Sequence, residues 1–158
     1  MFKKVLVIIS MMIFTVLLTG CNSNDSKLLI FDDDSLIAET GDTYTYSVRN
    51  ESKESIANQF DLSFRGFTGR ETIFTLTASE KTEVTVDILS SISSGQFKVV
   101  IVTPENKVFP LASGSDEDTS SIALEVGTYK VKLVGKTAFG TLSMTFTDID
   151  KVTITKTE

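Results

Sequence analysis

Histidine and tryptophan are both absent from this 158-residue sequence, and cysteine occurs once. Histidine is the usual general base and the commonest metal ligand, so its absence excludes the Ser-His-Asp and Cys-His catalytic arrangements. A zinc site would need carboxylate ligands alone, which zinc rarely uses. Catalysis by two carboxylates stays open in principle, but no acidic pair stands in a pattern that marks it out. The composition therefore predicts that the protein is not an enzyme.

The single cysteine, Cys21, stands where an apolar run gives way to a polar stretch. Two lysines near the N-terminus, an apolar run over residues 5–18 and a Thr-Gly dipeptide precede it. A positive end, an apolar segment and a small-residue site are the pattern of an export signal. The apolar run has 14 residues, fewer than the ~20 that a helix needs to cross a bilayer. We therefore predict a signal peptide over residues 1–20.

The sequence LTGC at residues 18–21 resembles the lipobox of bacterial lipoproteins. The resemblance implies that a diacylglycerol alkylates the thiol of Cys21, that the signal is cut before it, and that two acyl chains are attached. Two acyl chains anchor a protein stably in a membrane, whereas one chain gives only marginal binding, because each buried methylene contributes ~0.8 kcal/mol. We expect the extracytoplasmic face of the cell membrane, in a one-membrane bacterium rather than a two-membrane one. An ordinary secreted protein with a stray cysteine is the alternative.

After removal of the signal, 13 basic and 21 acidic residues remain, a net charge of −8. This charge disfavours nucleic acid and anionic lipid as partners, because both need a basic surface. With Cys21 acylated, no thiol is left for a disulfide or for redox chemistry. We expect residues 21–27 to form a short coil tether and residues 28–158 to form one domain.

Alternation of apolar and polar residues dominates this domain. It occurs in DTYTYSV (residues 42–48), QFDLSF (59–64), TEVTVDI (82–88), TYKVKL (128–133) and TLSMTF (141–146). FKVVIV (97–102) is apolar on both faces, which predicts a central strand covered on both sides. Only residues 51–59 have the pattern of a short helix. The pattern predicts a single antiparallel β-sandwich, jelly-roll-like, with about eight or nine strands.

Small and polar clusters predict turns between these strands. The clusters are RGFTGR (65–70), SSISSG (90–95), SGSDED (113–118) and KTAFG (136–140). A shift of 45 residues aligns residues 86–101 with residues 131–146. This alignment indicates either a duplicated two-strand unit or two ordinary β-hairpins. The segment GTYKVKLVG (127–135) resembles pre-peptidase C-terminal domains, which implies a sandwich with a binding or structural role.

Two acidic segments are candidates for calcium, which takes six to eight oxygen ligands. The first comprises Asp32, Asp33 and Asp34; the second comprises Asp116, Glu117 and Asp118. Neither matches the spaced acidic pattern of a calcium-binding loop. Solvated surface acids are the alternative interpretation.

The segment RGFTGR is the candidate ligand or partner site, because Arg65 and Arg70 flank Phe67 at a predicted hairpin tip. Two arginines can hold a carboxylate or phosphate through paired hydrogen bonds. Alternatively, they only make the turn soluble. Tyr44 and Tyr46 form a possible platform for a sugar ring, or else belong to the core. The polar strand faces are interpreted as solvent-facing surface.

These observations together predict a lipid-anchored, non-enzymatic module that binds another envelope protein at the membrane face. The short tether, the missing catalytic chemistry and the small acidic domain favour this prediction. The alternative is a module that binds carbohydrate or a small ligand, with calcium as the one cofactor still open.

Overall fold

A computed structural model describes residues 23–52 and 56–157. The helices are α1 (Ser23–Leu29) and α2 (Asp34–Ala38), with a 3₁₀ turn (Ile30–Asp32) between them. The strands are β1 (Thr43–Thr45), β2 (Val48–Glu51), β3 (Gln59–Ala78), β4 (Thr82–Val102), β5 (Val108–Ser113), β6 (Asp116–Leu124), β7 (Gly127–Thr147) and β8 (Val152–Lys156). All pairings between them are antiparallel.

Three strands of 20 or 21 residues, β3, β4 and β7, fold over on themselves. The rings of Phe60 and Phe74, both in β3, lie only 6.1 Å apart between centroids. A straight strand would separate residues 14 positions apart by about 46 Å. The pairings of all three strands shift register near the middle, as β-bulges do. Each long strand therefore turns a corner and contributes to two layers.

The bends create two five-stranded layers that face each other. Layer A contains β2, residues 59–65 of β3, residues 140–147 of β7, residues 82–92 of β4, and β6. Layer B contains β8, residues 69–78 of β3, residues 127–135 of β7, residues 96–102 of β4, and β5. The bent segments between them form the corner of the sandwich, where β1 pairs with β3. The prediction of a single antiparallel β-sandwich is confirmed.

The predicted turns RGFTGR, SSISSG and KTAFG are wrong, because all three lie inside continuous strands. Their glycines serve the bends instead: φ is 64° at Gly66, 110° at Gly69 and 78° at Gly95. A Cβ at Gly69 would come within 2.0 Å of the Thr43 carbonyl oxygen, so β1 packs closely against this bend. The residues that permit a turn also permit a bulge, and the local pattern does not separate the two.

The 45-residue repeat has a structural counterpart in β4 and β7. These strands are antiparallel neighbours, and both bend at the corner. Each copy is therefore one bent strand with a half in each layer. Neither the duplicated two-strand unit nor the two-hairpin interpretation is correct, because each copy lies within one continuous strand.

The main core fills the space between the layers with aromatic and branched side chains. Phe74 of layer B meets Phe146 of layer A with ring centroids 5.5 Å apart, and Phe64 stacks on Phe97 at 5.0 Å. Aromatic pairs of this kind contribute about 0.5–1.5 kcal/mol each beyond the area that they bury.

A second core lies on the outer face of layer B and confirms the prediction for FKVVIV. Val100 and Val102 point away from the main core and, with Val134, pack against Ile30 and Ile37 of the N-terminal segment. The 3₁₀ turn and the short helix α2, not predicted from the sequence, cover this face. Helix α1, also not predicted, contacts β3 and β7 instead. The predicted helix over residues 51–59 is wrong in its described part, where residue 51 ends β2 and residue 59 begins β3.

The signal peptide and Cys21 lie outside the described residues. The expected coil tether is helical from Ser23 onward, because α1 covers Ser23–Leu29. Within the part of the chain that the structure describes, no helix is long and apolar enough to span a membrane.

Candidate functional site

Phe67, predicted to be an exposed aromatic, is completely buried. It lies at the corner of the sandwich, where its ring stacks on Tyr46 at 4.6 Å between centroids. The rings of Phe64 and Phe97 lie 5.9 and 6.3 Å away. The prediction of an exposed hairpin tip is therefore wrong, because the bulges of β3 turn this side chain into the core.

The two arginines of RGFTGR have different surroundings. Arg70 is buried in layer B, where its Nε donates to the Gly41 carbonyl at 2.9 Å and its guanidinium pairs with the Glu39 carboxylate. Arg65 is exposed, and its backbone pairs with Val48 in β2. The structure does not bring the two together with Phe67 as one surface.

The first acidic segment serves the N-terminal helices. Asp33 caps α2, accepting hydrogen bonds from the backbone N–H groups of Ser35 at 2.9 Å and Leu36 at 3.3 Å. The side-chain hydrogen bond from Ser35 and the backbone bond from Leu36 lower the pKa of Asp33. Asp32 forms an ion pair with Lys136 at 3.1 Å. A capping role accounts for Asp33 and an ion pair for Asp32, whereas Asp34 is exposed in the first turn of α2.

The second acidic segment was expected in a loop, and that expectation is wrong. Asp116, Glu117 and Asp118 begin β6, paired with Ser90, Leu89 and Ile88 of β4. Neighbouring side chains in a strand point to opposite faces, so these three carboxylates do not converge. Across residues 23–52 and 56–157, no group of three or more acidic side chains is arranged to hold a metal ion.

Buried polar side chains of layer B hold the N-terminal segment in place. Lys132 is completely buried, and its Nζ donates to the Glu39 carbonyl at 2.5 Å. The same Nζ lies 3.8 Å from Asp42 Oδ1, which also accepts from Thr72 Oγ1 at 2.7 Å. Burial lowers the pKa of Lys132 from 10.5 to about 8. This cluster is satisfied internally, and it fixes residues 39–42 against the sheet.

The two tyrosines of the proposed sugar platform are not equivalent. Tyr46 is half-buried, and its hydroxyl donates to the Glu71 carboxylate, which also accepts from Arg49 at 2.9 Å. Burial and the adjacent Glu71 carboxylate raise the pKa of Tyr46. Tyr44 is 42% exposed, with its ring edge toward Tyr46. Only Tyr44 therefore presents an aromatic ring to solvent.

The outer face of layer A carries a polar surface. It is formed by the polar strand faces that the sequence pattern predicts to face solvent. The buried residues of each strand face the core, so the alternate positions point outward. We call this surface the acidic face; its residues are Gln59, Asp61 and Ser63 of β3, Ser143 and Thr145 of β7, Asp87 and Leu89 of β4, and Glu117 and Thr119 of β6. None of these positions holds a lysine or an arginine.

Hydroxyl groups and carboxylates pair with each other across the acidic face. Ser143 Oγ donates to Asp61 Oδ1 at 2.6 Å, and Gln59 Nε2 donates to Asp61 Oδ2 at 2.7 Å. Thr119 Oγ1 donates to Asp87 Oδ1 at 2.6 Å. These bonds set the orientation of two carboxylates without neutralising their charge.

An open groove of about 580 Å³ runs over part of this face. Its lining includes Asp87, Glu117, Thr119 and Ser143. Leu89 of β4 also lines it, between Ser143 of β7 and Glu117 of β6. Leu89 is 53% exposed. The groove thus combines hydrogen-bonding groups with one apolar surface, and its charge is negative.

The exposed large apolar side chains are spread over several elements. Within residues 23–52 and 56–157 they are Leu29, Tyr44, Val48, Ile56, Leu89, Phe109 and Val126. Leu89 belongs to the acidic face, and the first three lie near the corner. Single exposed apolar residues are ordinary on a soluble domain.

No protein-family model and no curated protein matches the sequence. Among solved structures, a family two carbohydrate esterase from Cellvibrio japonicus aligns at a TM-score of 0.37 with 7% identity, over 77% of this chain and 32% of that chain. A family 35 carbohydrate binding module from an environmental isolate aligns at 0.34 with 14% identity, over 73% and 93%. The CBM22-1 xylan-binding domain of Paenibacillus barcinonensis Xyn10C aligns at 0.30 with 9% identity, over 73% and 85%. These similarities are too low to support any inference about this chain.

Proposed function

We propose that this chain is a non-catalytic module of a bacterial cell envelope that binds carbohydrate in the groove of the acidic face. Acyl chains on Cys21 hold it at the extracytoplasmic side of the membrane. The anchoring part of the proposal rests on the lipobox, and the binding part rests on the groove.

The chemistry of the groove is the observation that carries the binding proposal. Asp87 and Glu117 accept hydrogen bonds from sugar hydroxyls. Thr119 and Ser143 donate their hydroxyl protons to Asp87 and Asp61, and their remaining lone pairs accept from the sugar as well. Exposed Leu89 offers a surface for the apolar C–H face of a sugar ring. The groove volume of about 580 Å³ falls in the range of small-ligand sites.

The charge of the groove defines the class of carbohydrate. Carboxylates without a neighbouring lysine or arginine repel acidic sugars and attract an ammonium group. We therefore expect neutral or amino-sugar polymers to bind, and uronic acid polymers not to bind.

Binding without catalysis suits this arrangement. Asp87 and Glu117 lie diagonally across neighbouring strands, where Cα atoms are about 7–8 Å apart. Glycoside hydrolysis needs two carboxyl groups about 5–9.5 Å apart, one of which must be kept protonated by its surroundings. Both side chains are exposed on an open sheet face, so no environment of that kind surrounds them.

The test is a binding measurement on purified lipoprotein, using immobilised neutral, amino-sugar and uronic acid polymers. The double variant Asp87→Asn with Glu117→Gln should weaken binding at least about tenfold, because hydrogen bonds to charged groups contribute roughly 1.5–3 kcal/mol. The matched control is Glu105→Gln, which removes an exposed carboxylate from the loop between β4 and β5. Retention of no polymer, or equal binding by the double variant, would reject the proposal.

Binding to an envelope protein is the second candidate, and the free edge of β6 favours it. Within the described part of the chain, β6 pairs only with β4, through nine unbroken residue pairs. An extended peptide can add to such an edge by backbone hydrogen bonding. Crosslinking in intact cells tests this candidate, and a stoichiometric partner lost on Ser121→Pro supports it. Alternate residues of an antiparallel strand direct their N–H groups to opposite sides, and Ser121 is one of those that direct it away from β4. Proline cannot donate a hydrogen bond at that edge. Recovery of the lipoprotein alone would reject this candidate.

A further inference from the structure

Helix α1 packs against the corner of the sandwich. Leu28 lines a crevice of about 340 Å³ there, together with Tyr46, Gly66 and Thr137. Three of the large exposed apolar side chains occur around the same corner: Leu29 on α1, Tyr44 on β1 and Val48 on β2. Tyr44 pairs with Gly69 and Val48 pairs with Arg65. These two residues of β3 lie on either side of its bend. We call Leu29, Tyr44, Val48 and Arg65 the corner surface.

The chain length between this surface and Cys21 is short. Ser23, where α1 begins, is two positions after Cys21, and an extended chain spans at most about 3.6 Å per residue. The seven residues of α1 add about 10 Å at 1.5 Å per residue. An acylated Cys21 lies at the membrane interface, so Leu29 lies within about 17 Å of it.

We propose that the corner surface is the membrane-contacting surface of the domain, and that its partner is the phospholipid bilayer in which the acyl chains of Cys21 are inserted. This inference rests on the proposed acylation of Cys21. Leu29 and Val48 contact the upper acyl region, and Tyr44 lies at headgroup level, where aromatic side chains with one polar end are enriched. Arg65 extends its charged end to the headgroups while its aliphatic part stays against the apolar surface.

The opposite end of the sandwich provides a matched reference position. Val126, which precedes β7, is 67% exposed, and Leu29 is 65% exposed. Gly127 and Gly135, which lies at the corner, are eight positions apart in β7, a distance of roughly 26 Å along a strand. A probe at position 126 therefore stays in water when the corner touches lipid.

The absence of tryptophan makes each introduced tryptophan the only one in the chain. The full chain carrying Leu29→Trp or Val126→Trp is expressed in bacteria, purified as the acylated lipoprotein and reconstituted into phosphatidylcholine vesicles, with and without bromine on the upper acyl chain. For Leu29→Trp we expect blue-shifted emission, strong quenching by brominated lipid, and several-fold weaker quenching by iodide than for Val126→Trp. Tyr44→Trp is a second corner probe in case Leu29→Trp does not fold.

Equal iodide quenching of corner and reference probes in vesicles that carry the lipoprotein would overturn the proposal. So would stronger lipid quenching of Val126→Trp than of the corner probes. A chain that binds carbohydrate but does not float with vesicles would reject acylation and lipid contact while leaving the carbohydrate proposal intact. A chain whose corner probes are quenched by lipid but which binds no carbohydrate would reject the carbohydrate proposal and leave acylation and lipid contact intact.

Discussion

Lys132 provides a direct test of how the N-terminal segment is held on the sheet. Its side chain is completely buried beneath that segment, and burial lowers its pKa from 10.5 to about 8. Between these two values the unfolded chain binds a proton at this residue and the folded chain does not. Stability therefore rises with pH across this window, because deprotonation removes the cost of a buried charge.

The size of the rise follows from the difference between the two pKa values. At about 1.4 kcal/mol per pKa unit, the free energy of unfolding should increase by about 2 kcal/mol between pH 8 and pH 10 through Lys132 alone. Lys132→Met removes the titrating group and keeps much of the apolar volume. Its unfolding free energy should lack this rise, although its stability at pH 7 also reflects loss of the bond to the Glu39 carbonyl.

The assay is urea unfolding at half-unit pH intervals from pH 7 to pH 10. Lys107→Met is the matched control, because Lys107 is an exposed lysine in the loop between β4 and β5, away from Lys132. The control should keep the slope of the unsubstituted protein. Parallel pH profiles for the unsubstituted protein and Lys132→Met would refute the reasoning, since they would mean that this lysine is neither buried nor shifted in the folded state.

Three further substitutions test the corner of the sandwich. Phe67→Ala should cost about 3–5 kcal/mol by urea unfolding, whereas exposed Arg65→Ala should stay within about 0.5 kcal/mol; equal effects would contradict burial of the phenyl ring. Gly69→Ala should cost about 3 kcal/mol or more, because its Cβ would meet backbone 2.0 Å away, and Gly114→Ala, with positive φ but open space, is its control. Above pH ~10 Tyr46 ionises in the unfolded chain but not in the folded one, where its pKa is raised, so the free energy of unfolding falls as the pH rises. Tyr46→Phe should abolish this contribution to the alkaline loss of stability. An unchanged alkaline stability profile for Tyr46→Phe would contradict this.

The β-sandwich could be predicted because period-two alternation reports burial directly. Val84, Val86 and Ile88 face the core as the alternation requires, and the doubly apolar FKVVIV is covered on both faces. The bends could not be predicted, because glycine at positive φ suits a turn and a bulge equally well. Helices α1 and α2 are too short to be stable alone. They form through tertiary contacts, because Ile37 of α2 packs onto layer B and Leu28 of α1 lies against the corner of the sandwich.

The candidate site was harder to predict than the fold, for a geometric reason. Asp61, Asp87 and Glu117 are 26 and 30 residues apart in the sequence, and each occupies the polar position of an ordinary alternating strand. Only the pairing of β3, β7, β4 and β6 places them on one face. RGFTGR had the more conspicuous composition, yet it lies in a bend that buries Phe67 and Arg70. The conspicuous composition of RGFTGR belongs to a bend in the fold, whereas the acidic face depends on the long-range register of four strands.

The bent strands also fix how the acidic face would stand above a membrane. Ser63 and Arg65 are two residues apart in β3, so the face begins where the corner surface ends. If the corner contacts lipid, the strands of layer A rise from it, and Leu89 lies about 10 Å above the bend that follows Ile92. The row Asp61, Ser143, Leu89 and Glu117 crosses four strands, at about 4.8 Å per step, and runs parallel to the membrane surface. A polymer bound along this row would lie flat over the bilayer, so anchoring and binding would use adjacent parts of the same strands.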